Sequence, residues 1–392
     1  MLSVFNQVFK LEKKFEFKKI FRVLYWFILV LCVFEAVGTL LYFVPLIGDL
    51  ATMGFFRFYK ILLACNALLL VMAIVYLCSR KTKKYVIHAV ISVISVAVFV
   101  FLSVFVQTNI NSQGEKISFA KVFSSSDFSE VKEYSTVYTS EPEKCELSVF
   151  YTDDEKNDKP VIFYAHGGGW ILGSRYDRLH ITKQLAKNGF VVVCADYSLS
   201  TQENNYWNFT EKQLLKAVEW TDINIRNYGG STKRFYMVGD SAGGNLALNL
   251  AYKINSGEYK NMPKVNAVSV IYPVTSVEDF YNMGNFVTKP TAQKMAAFYT
   301  GGSPKEYPER YSAVNPAEYI SKTTPPTLIT LGTGDTSVNP KSTYAFDKKL
   351  EQNGVETALI KVPFANHVGD SEDNNFMSQA YVNNTVKWFN TH

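Results

Sequence analysis

The chain has 392 residues, a formal net charge of +5 and a hydrophobic content of 47 %. This length accommodates one large domain of about 250 residues together with a further segment. The positive charge flanks apolar runs near the start of the chain and the remainder has no basic stripe, so we expect no nucleic-acid partner. No two cysteines or histidines have the close spacing of zinc ligands, and we expect neither a metal nor a cofactor.

Residues 1–107 contain three long apolar runs, at about 21–47, 59–78 and 85–106. A helix needs roughly 20 apolar residues to cross a bilayer, and each run is close to that length. A cleaved signal peptide is the alternative for the first run, but its apolar stretch exceeds the roughly 7 to 15 residues that such peptides have. The pattern therefore predicts a membrane anchor of three transmembrane helices.

Basic residues cluster at two places beside these runs. They precede the first run and fill the short loop between the second and the third: Lys10, Lys13, Lys14, Lys18, Lys19 and Arg22, then Arg80, Lys81, Lys83 and Lys84. Cations accumulate on the cytoplasmic side of a membrane protein. We expect a protein of the cell membrane with a cytoplasmic N-terminus, and three crossings then place the residues after 107 outside the cytoplasm.

Glu35 is the one acidic residue deep within the apolar runs. Carboxylates inside a membrane are costly and often functional. Packing between helices in protonated form, with hydrogen bonds to Asn66, Ser92 or Ser95, is the alternative that we favour over a catalytic or transport role.

The sequence changes character after the third run. Residues 108–135 are polar and rich in serine, which predicts a linker or a short cap. Residues 136–392 alternate short β-branched and aromatic runs with helical segments, which predicts an α/β domain with a mostly parallel sheet. Eight strands are predicted, at about 133–139, 145–151, 159–166, 190–197, 234–238, 265–272, 326–332 and 356–363. The aromatic segment at about 273–326 interrupts the alternation and is predicted to be a lid-like insertion that helps to form the substrate pocket.

The segment GDSAGG begins at Gly239 and lies between a predicted strand and a predicted helix. This G-x-S-x-G pattern is typical of a sharp corner that exposes a nucleophilic serine, here Ser241, at the end of a sheet. Gly239 and Gly243 suit the corner because a Cβ there would clash with the backbone, and Asp240 completes it. A glycine-rich N-cap is the alternative, but it leaves the paired glycines unexplained.

A serine nucleophile needs a base, which a carboxylate orients. His367 is the candidate base because it follows the last predicted strand, whereas the other histidines lie before the serine or at the end of the chain. Asp335 is the candidate acid because it follows a buried run, whereas Asp347, Glu351 and Glu356 lie on or after the next helix. Serine, acid and base then come in the chain order that such corners show.

The segment HGGGW at 166–170 follows another predicted strand. Its bare backbone suits a tight turn, a phosphate cradle or a set of amide donors. A dinucleotide site fails because Leu172 stands where a third glycine is needed, and a phosphate loop fails because Ser174 stands in place of lysine. A tight turn and a set of amide donors that face a reacting oxygen remain, the latter together with the amide of Ala242 after the nucleophile.

HGGGW, GDSAGGN, an aspartate and a late histidine, in this order, resemble the hormone-sensitive-lipase-like esterases of the α/β-hydrolase superfamily over roughly residues 140–390. The resemblance implies an α/β-hydrolase fold and the cleavage of carboxylic esters, mostly with short acyl chains. It implies an oxyanion hole at Gly167, Gly168, Gly169 and Ala242, in which Gly168 and Gly169 donate with Ala242, Gly167 shapes the turn and His166 braces the loop. The sequence departs from the family at 196–202, which lacks an arginine and a Pro-Glu pair, and in the residues after Asp335.

These features predict a membrane-tethered serine hydrolase that acts on a small-molecule or lipid ester through Ser241, His367 and Asp335. An acyltransferase with the same triad, a serine peptidase and a non-catalytic binding module are the alternatives. The sequence leaves two roles for Trp170, namely packing in the core or forming part of the pocket wall. Cys145 and Cys194 either form a disulfide or are buried as separate thiols, and we favour burial.

Overall fold

A computed structural model of the chain describes residues 2–79, 83–153 and 157–392. The chain divides into two compact units, one ending at Phe105 and one over Val106–His392. Part of the basic loop that we predict to be cytoplasmic, at 80–82, lies outside the described residues, as do the side chains of residues 1–18.

The first unit is helical. Its helices are α1 (Leu2–Leu40), α2 (Ile47–Arg57), α3 (Tyr59–Ser79) and α4 (Lys83–Asn111), the last of which continues into the second unit. The first apolar run is predicted to continue to residue 47, but α1 ends at Leu40 and a turn containing Pro45 follows, so that limit is wrong. The sequence predicts no helix between the first two apolar runs, and α2 occupies most of that interval.

Two helical stretches of the described chain are long and apolar enough to cross a membrane, Arg22–Leu40 and Ala89–Asn111. A third crossing results only if α2 and α3, which meet at an angle of 93°, are counted together as one broken span. Three separate transmembrane helices are therefore not confirmed.

Polar side chains pair within the first unit. Tyr25 and Ser92 share a hydrogen bond of 3.1 Å, and the Tyr59 hydroxyl donates to Ser103 Oγ at 2.8 Å. Glu35 is buried, and it accepts a 3.4 Å hydrogen bond from Thr39 one helical turn later. The sequence did not indicate Thr39 as the partner of Glu35.

The second unit is built on one eight-stranded sheet of order β1-β2-β4-β3-β5-β6-β7-β8. Its strands are β1 (Val131–Thr139), β2 (Cys145–Thr152), β3 (Lys159–Ala165), β4 (Val191–Ala195), β5 (Gly230–Asp240), β6 (Val265–Ile271), β7 (Thr327–Gly332) and β8 (Thr357–Val362). Strand β2 pairs antiparallel with β1 and β4, and all other neighbours are parallel. All eight predicted strands are present, and the mostly parallel sheet is confirmed. Strand β1 begins at Val131, inside the predicted linker.

Buried β-branched residues form the centre of the sheet. Strand β4, with the sequence VVVCA, is buried along its whole length, which is typical of a parallel strand covered on both faces. The helices of this unit are α5 (Leu179–Lys187), α6 (Thr210–Asn224), α7 (Ala242–Ser256), α8 (Val277–Asn282), α9 (Lys289–Thr300), α10 (Pro308–Ala313), α11 (Pro340–Gln352) and α12 (Phe376–Thr391). Cys145 and Cys194 are both buried as free thiols, as expected.

The segment predicted as a linker or cap contacts helix α12 through a series of hydrogen bonds. The Glu115 amide donates to Asn384 Oδ1 at 2.9 Å, and the Ser118 amide donates to Gln379 Oε1 at 2.8 Å. Ile117 is buried between these two bonds. The segment is thus an ordered part of the second unit.

Parallel strands present their carboxyl ends at one edge of a sheet, which is where ligands bind in open α/β folds. Strands β3, β5, β7 and β8 lead at this edge into His166, Ser241, Asp335 and His367. The register pairs Ala165 with Gly239, so the glycine-rich loop after β3 adjoins the serine corner after β5.

Candidate active site

Ser241 occupies the corner between β5 and α7 with φ 53° and ψ −118°. A Cβ on Gly239 would lie 2.3 Å from the Gly243 oxygen, and a Cβ on Gly243 would lie 2.1 Å from the Ala165 oxygen. Both positions therefore require glycine, which explains the pair. Ser241 is the N-cap residue of α7, but its side chain makes no capping hydrogen bond to the helix, and its Oγ faces His367 instead.

The structure brings Ser241, His367 and Asp335 together although they are far apart in sequence. His367 Nε2 lies 3.0 Å from Ser241 Oγ, and His367 Nδ1 lies 2.7 Å from Asp335 Oδ2. A carboxylate can only accept, so the Nδ1 proton faces Asp335 and the Nε2 lone pair faces the serine. This arrangement suits proton transfer from Ser241.

Backbone amides fix the orientation of Asp335. Its Oδ1 accepts from the amides of Ser337 at 2.9 Å and Val338 at 2.8 Å, which leaves Oδ2 for His367. The rejected acids point elsewhere, since Asp347 accepts from Thr357 and Glu356 pairs with His392.

The HGGGW loop turns back on itself. Gly168 and Gly169 have φ of 108° and 60°, and Gly168 O accepts from the Leu172 amide at 3.1 Å. A Cβ on Gly168 would lie 1.9 Å from Leu172 O, and one on Gly169 would lie 2.3 Å from Met295 Sδ. The loop therefore needs glycine at both positions.

The amides of this loop differ in their availability. The Gly167 amide donates to Asp240 Oδ1 at 2.9 Å, so Gly167 is not free to donate to an oxyanion and its place in the predicted oxyanion hole is corrected to a positioning one. Ala242 is the first residue of α7, where an N–H has no acceptor within the helix. Gly168, Gly169 and Ala242 remain as the candidate donors.

His166 lies beneath this loop. Its Nδ1 is 2.7 Å from Gly167 O, and its ring stacks on Tyr197 with the centroids 4.2 Å apart. Burial holds the pKa of His166 below its ordinary value, so the ring is neutral and donates from Nδ1 to the carbonyl. This contact matches the bracing role that the family resemblance implies.

A buried ionic network that the sequence analysis missed lies beside the nucleophile. Arg178 Nε lies 3.7 Å from Asp240 Oδ2 and 3.5 Å from Asp370 Oδ2. Arg178 Nη2 donates to the Tyr272 hydroxyl at 3.1 Å, which donates in turn to Asp370 Oδ1 at 2.5 Å. The Tyr272 ring contacts His367, with the centroids 4.6 Å apart. Burial raises the pKa of Tyr272 well above its ordinary value, so its hydroxyl keeps the proton that it donates.

A cavity of about 490 Å³ opens onto Ser241 and His367. The glycine loop forms one side of it, and the insertion forms much of the rest through Phe280, Val287, Ala292 and Met295. The aromatic residues farther along the insertion are not part of this wall. Tyr299 is buried and stacks on Trp170 at 4.5 Å, which gives Trp170 a packing role.

Within the described residues, no group of three or more His, Cys, Asp or Glu side chains is placed to hold a metal ion. The groups that line the cavity include Ser241, His367 and the glycine loop, together with the charged side chains of Arg178 and Asp240.

The serine corner at the carboxyl edge of an eight-stranded, mostly parallel sheet defines the α/β-hydrolase class. Residues 147–350 match the BD-FAE family model, which covers about half of the chain, and the chain belongs to this family.

Several esterases are similar in sequence. An esterase of Gibberella moniliformis is 27 % identical over 211 residues, which are 52 % of this chain and 64 % of that protein. Esterase LipC of Mycobacterium tuberculosis is 22 % identical over 223 residues, which are 55 % of this chain and 54 % of LipC. The chain thus spans between about half and two thirds of these relatives.

The fold is shared with solved esterases. Esterase B from Lactobacillus Rhamnosis superposes with a TM-score of 0.58 at 18 % identity, covering 69 % of this chain and 88 % of that one. Carboxyl esterase 2 from Tuber melanosporum gives a TM-score of 0.56 at 22 % identity, with 67 % and 88 % covered. The predicted α/β-hydrolase fold and the resemblance to esterases of this superfamily are confirmed.

Proposed function

We propose that the protein is a carboxylic ester hydrolase that acts through Ser241, His367 and Asp335. The observation that carries this proposal is the pair of contacts of His367, at 3.0 Å to Ser241 Oγ and 2.7 Å to Asp335 Oδ2. The esterase names of the relatives support the reaction class.

The reaction begins when Ser241 Oγ attacks the ester carbonyl carbon and His367 Nε2 takes the hydroxyl proton. The carbonyl oxygen becomes an oxyanion that accepts from the amides of Gly168, Gly169 and Ala242. One such donor is worth about 2.7 to 4 kcal/mol in the transition state. The intermediate collapses as His367 returns the proton to the leaving alcohol, and an acyl-Ser241 ester remains.

Water then attacks the acyl-Ser241 ester, with His367 again as the base, and the carboxylic acid leaves as Ser241 regains its proton. Asp335 keeps the imidazole in its reactive tautomer and stabilises the imidazolium that forms in each half-reaction. Its two backbone donors hold it in this position.

We propose that the substrates are esters with short acyl chains. Met295 packs against Gly169, and Met295 and Phe280 both line the cavity. We infer that the acyl group lies against these two side chains and that the alcohol group faces the mouth.

The division of the chain supports a membrane-tethered enzyme. We infer an anchor over 1–107, an ordered connection over 108–130 and a catalytic domain that begins with β1 at Val131 and carries its insertion at 273–326. The apolar stretches Arg22–Leu40 and Ala89–Asn111, with the bent α2–α3 pair, are the candidate crossings of the cell membrane.

Replacement of the nucleophile tests the proposal. S241A removes the attacking oxygen, and we expect turnover of p-nitrophenyl acetate by the full chain to be lost and labelling by a fluorophosphonate to disappear. S256A, at the other end of α7, is the control and should retain both signals, because Ser256 Oγ only donates to Lys253 O. Full activity in S241A would refute the proposed nucleophile.

A further inference from the structure

Hydrogen bonds join the loop that carries Asp335 to the loop that carries His367. These loops continue β7 and β8, which pair in parallel register as far as Gly332 and Val362. Three bonds between the loops follow the end of that pairing, each with a backbone amide as the donor: Phe364 to Thr333 Oγ1 at 3.0 Å, Gly334 to Ala365 O at 3.0 Å and Thr336 to Asn366 Oδ1 at 3.2 Å. The acid and the base lie next to the last of these bonds.

The bond to Asn366 differs from the other two because its acceptor serves both loops. Asn366 Oδ1 also accepts from the amide of His367 at 2.7 Å. A single side-chain oxygen therefore holds the residue that follows Asp335 and the histidine itself. Asn366 is only 8 % exposed, so water is a poor substitute for this oxygen if it is removed.

We propose that Asn366 is a positioning residue that sets the distance between Asp335 and His367. The proposal rests on the hydrolase function proposed above and adds a residue that acts through the triad. Asp335 Oδ2 and His367 Nδ1 are 2.7 Å apart, and the two amides that Asn366 binds lie beside these groups in the chain. Without that shared acceptor the two loops can separate, and a misplacement of about 1 Å at a catalytic group can cost up to about 10²-fold in rate.

The other contacts of the acid do not include the histidine loop. Ser337 and Val338 donate to Asp335 Oδ1 from the same loop that carries the acid, so they orient the carboxylate but do not set its distance to His367. Within the described part of the histidine loop, His367 and Val368 are the residues that line the cavity, whereas Asn366 is buried. Asn366 should therefore affect kcat and leave the binding of the ester unchanged.

Three substitutions of one residue test the proposal in the full chain, with p-nitrophenyl acetate as substrate. N366A removes the shared acceptor, and we expect kcat to fall by about 10- to 100-fold while KM changes by less than about twofold. N366Q retains an amide but moves its oxygen by one methylene, so it should lose kcat as well and serves as the second variant if N366A does not fold. N366D places an acceptor oxygen where the amide oxygen was, and we expect it to recover most of kcat.

Asn339 provides a matched control. Its Oδ1 accepts from the amide of Lys341 at 3.0 Å as the N-cap of α11, so N339A also removes an asparagine oxygen from a backbone amide, but not from a loop bond beside the triad. N339A should unfold at a lower denaturant concentration and retain kcat.

Equal losses of kcat in N339A and N366A would show a general effect on stability and would overturn the positioning role. An unchanged kcat in N366A and N366Q, or an N366D variant as slow as N366A, would also overturn it. Absence of turnover in the unmodified chain would instead overturn the hydrolase proposal.

Discussion

The backbone strain at Ser241 keeps its hydroxyl available to His367. Its φ of 53° and ψ of −118° lie in a sparsely populated backbone region that costs an L residue about 1–3 kcal/mol, and the close packing of Gly239 and Gly243 enforces it here. The strained corner turns Oγ away from the amides of α7 and towards His367 Nε2. The strained residue is thus the proposed nucleophile itself.

Because Asp335 is proposed to orient His367, replacing its carboxylate by an amide should lower kcat strongly. D335N keeps the shape of the side chain but presents an amide to His367 Nδ1, which favours the wrong tautomer, and we expect kcat for p-nitrophenyl acetate to fall by about 10⁴-fold. D347N is the control, because Asp347 bonds to Thr357 and not to a histidine. Steady-state kinetics check the pair, and comparable losses in both variants would contradict the assignment of the acid.

Residues with local motifs could be predicted from the sequence, and residues joined only by the fold could not. Ser241 has a strand, a glycine pair and a helix as its context, and His367 and Asp335 follow from chain order. Arg178, Tyr272 and Asp370 share no spacing, and only packing brings them together. The use of the Gly167 amide by Asp240 likewise has no sequence signal, because it depends on the register between β3 and β5.

At the level of elements, the Arg178 network joins three segments beside the site. Arg178 precedes α5, Tyr272 follows β6, and Asp370 lies in the loop before α12. Asp240 connects this network to the glycine loop through the Gly167 amide. The network therefore links the nucleophile corner, the oxyanion loop and the histidine loop.

Replacing Arg178 by an uncharged residue should destabilise the protein where these segments meet. R178M leaves Asp240 and Asp370 buried without their guanidinium partner, and breaking a buried ion pair in this way costs about 3–5 kcal/mol. We expect a lower midpoint in chemical unfolding and a lower kcat. R178M/D370N should recover part of the loss, because it removes one of the two uncompensated charges.

Arg226 is the control for this element, because it is exposed in the short helix Ile225–Tyr228. R226M should unfold at the midpoint of the unmodified chain. An R178M midpoint equal to that of R226M would show that the network does not stabilise the junction.

For the whole molecule, the proposed membrane anchor makes the number of crossings decide on which side the hydrolase lies. Hydropathy located the apolar runs, but it did not indicate the turn after Leu40 or the 93° bend between α2 and α3. No proline lies between residues 47 and 75, so the sequence lacks the commonest signal of a bend at this place. If the bent pair crosses the membrane, three crossings separate the hydrolase from the N-terminus. If it enters and leaves on the same side, two crossings place both on one side.

Cysteine labelling distinguishes these topologies. Glu143 is exposed in the loop between β1 and β2, and E143C in a C78S background places one accessible thiol on the hydrolase. The basic residues before the first run and around 80–84 favour three crossings. We therefore expect a membrane-impermeant maleimide to label E143C in intact cells, and K84C in the same background only after permeabilisation. Labelling of K84C alone in intact cells would contradict three crossings from a cytoplasmic N-terminus, because it is the pattern of two crossings from such an N-terminus and of three crossings in the reverse orientation. Protection of both thiols would show that Ala89–Asn111 does not separate residues 84 and 143 across a membrane.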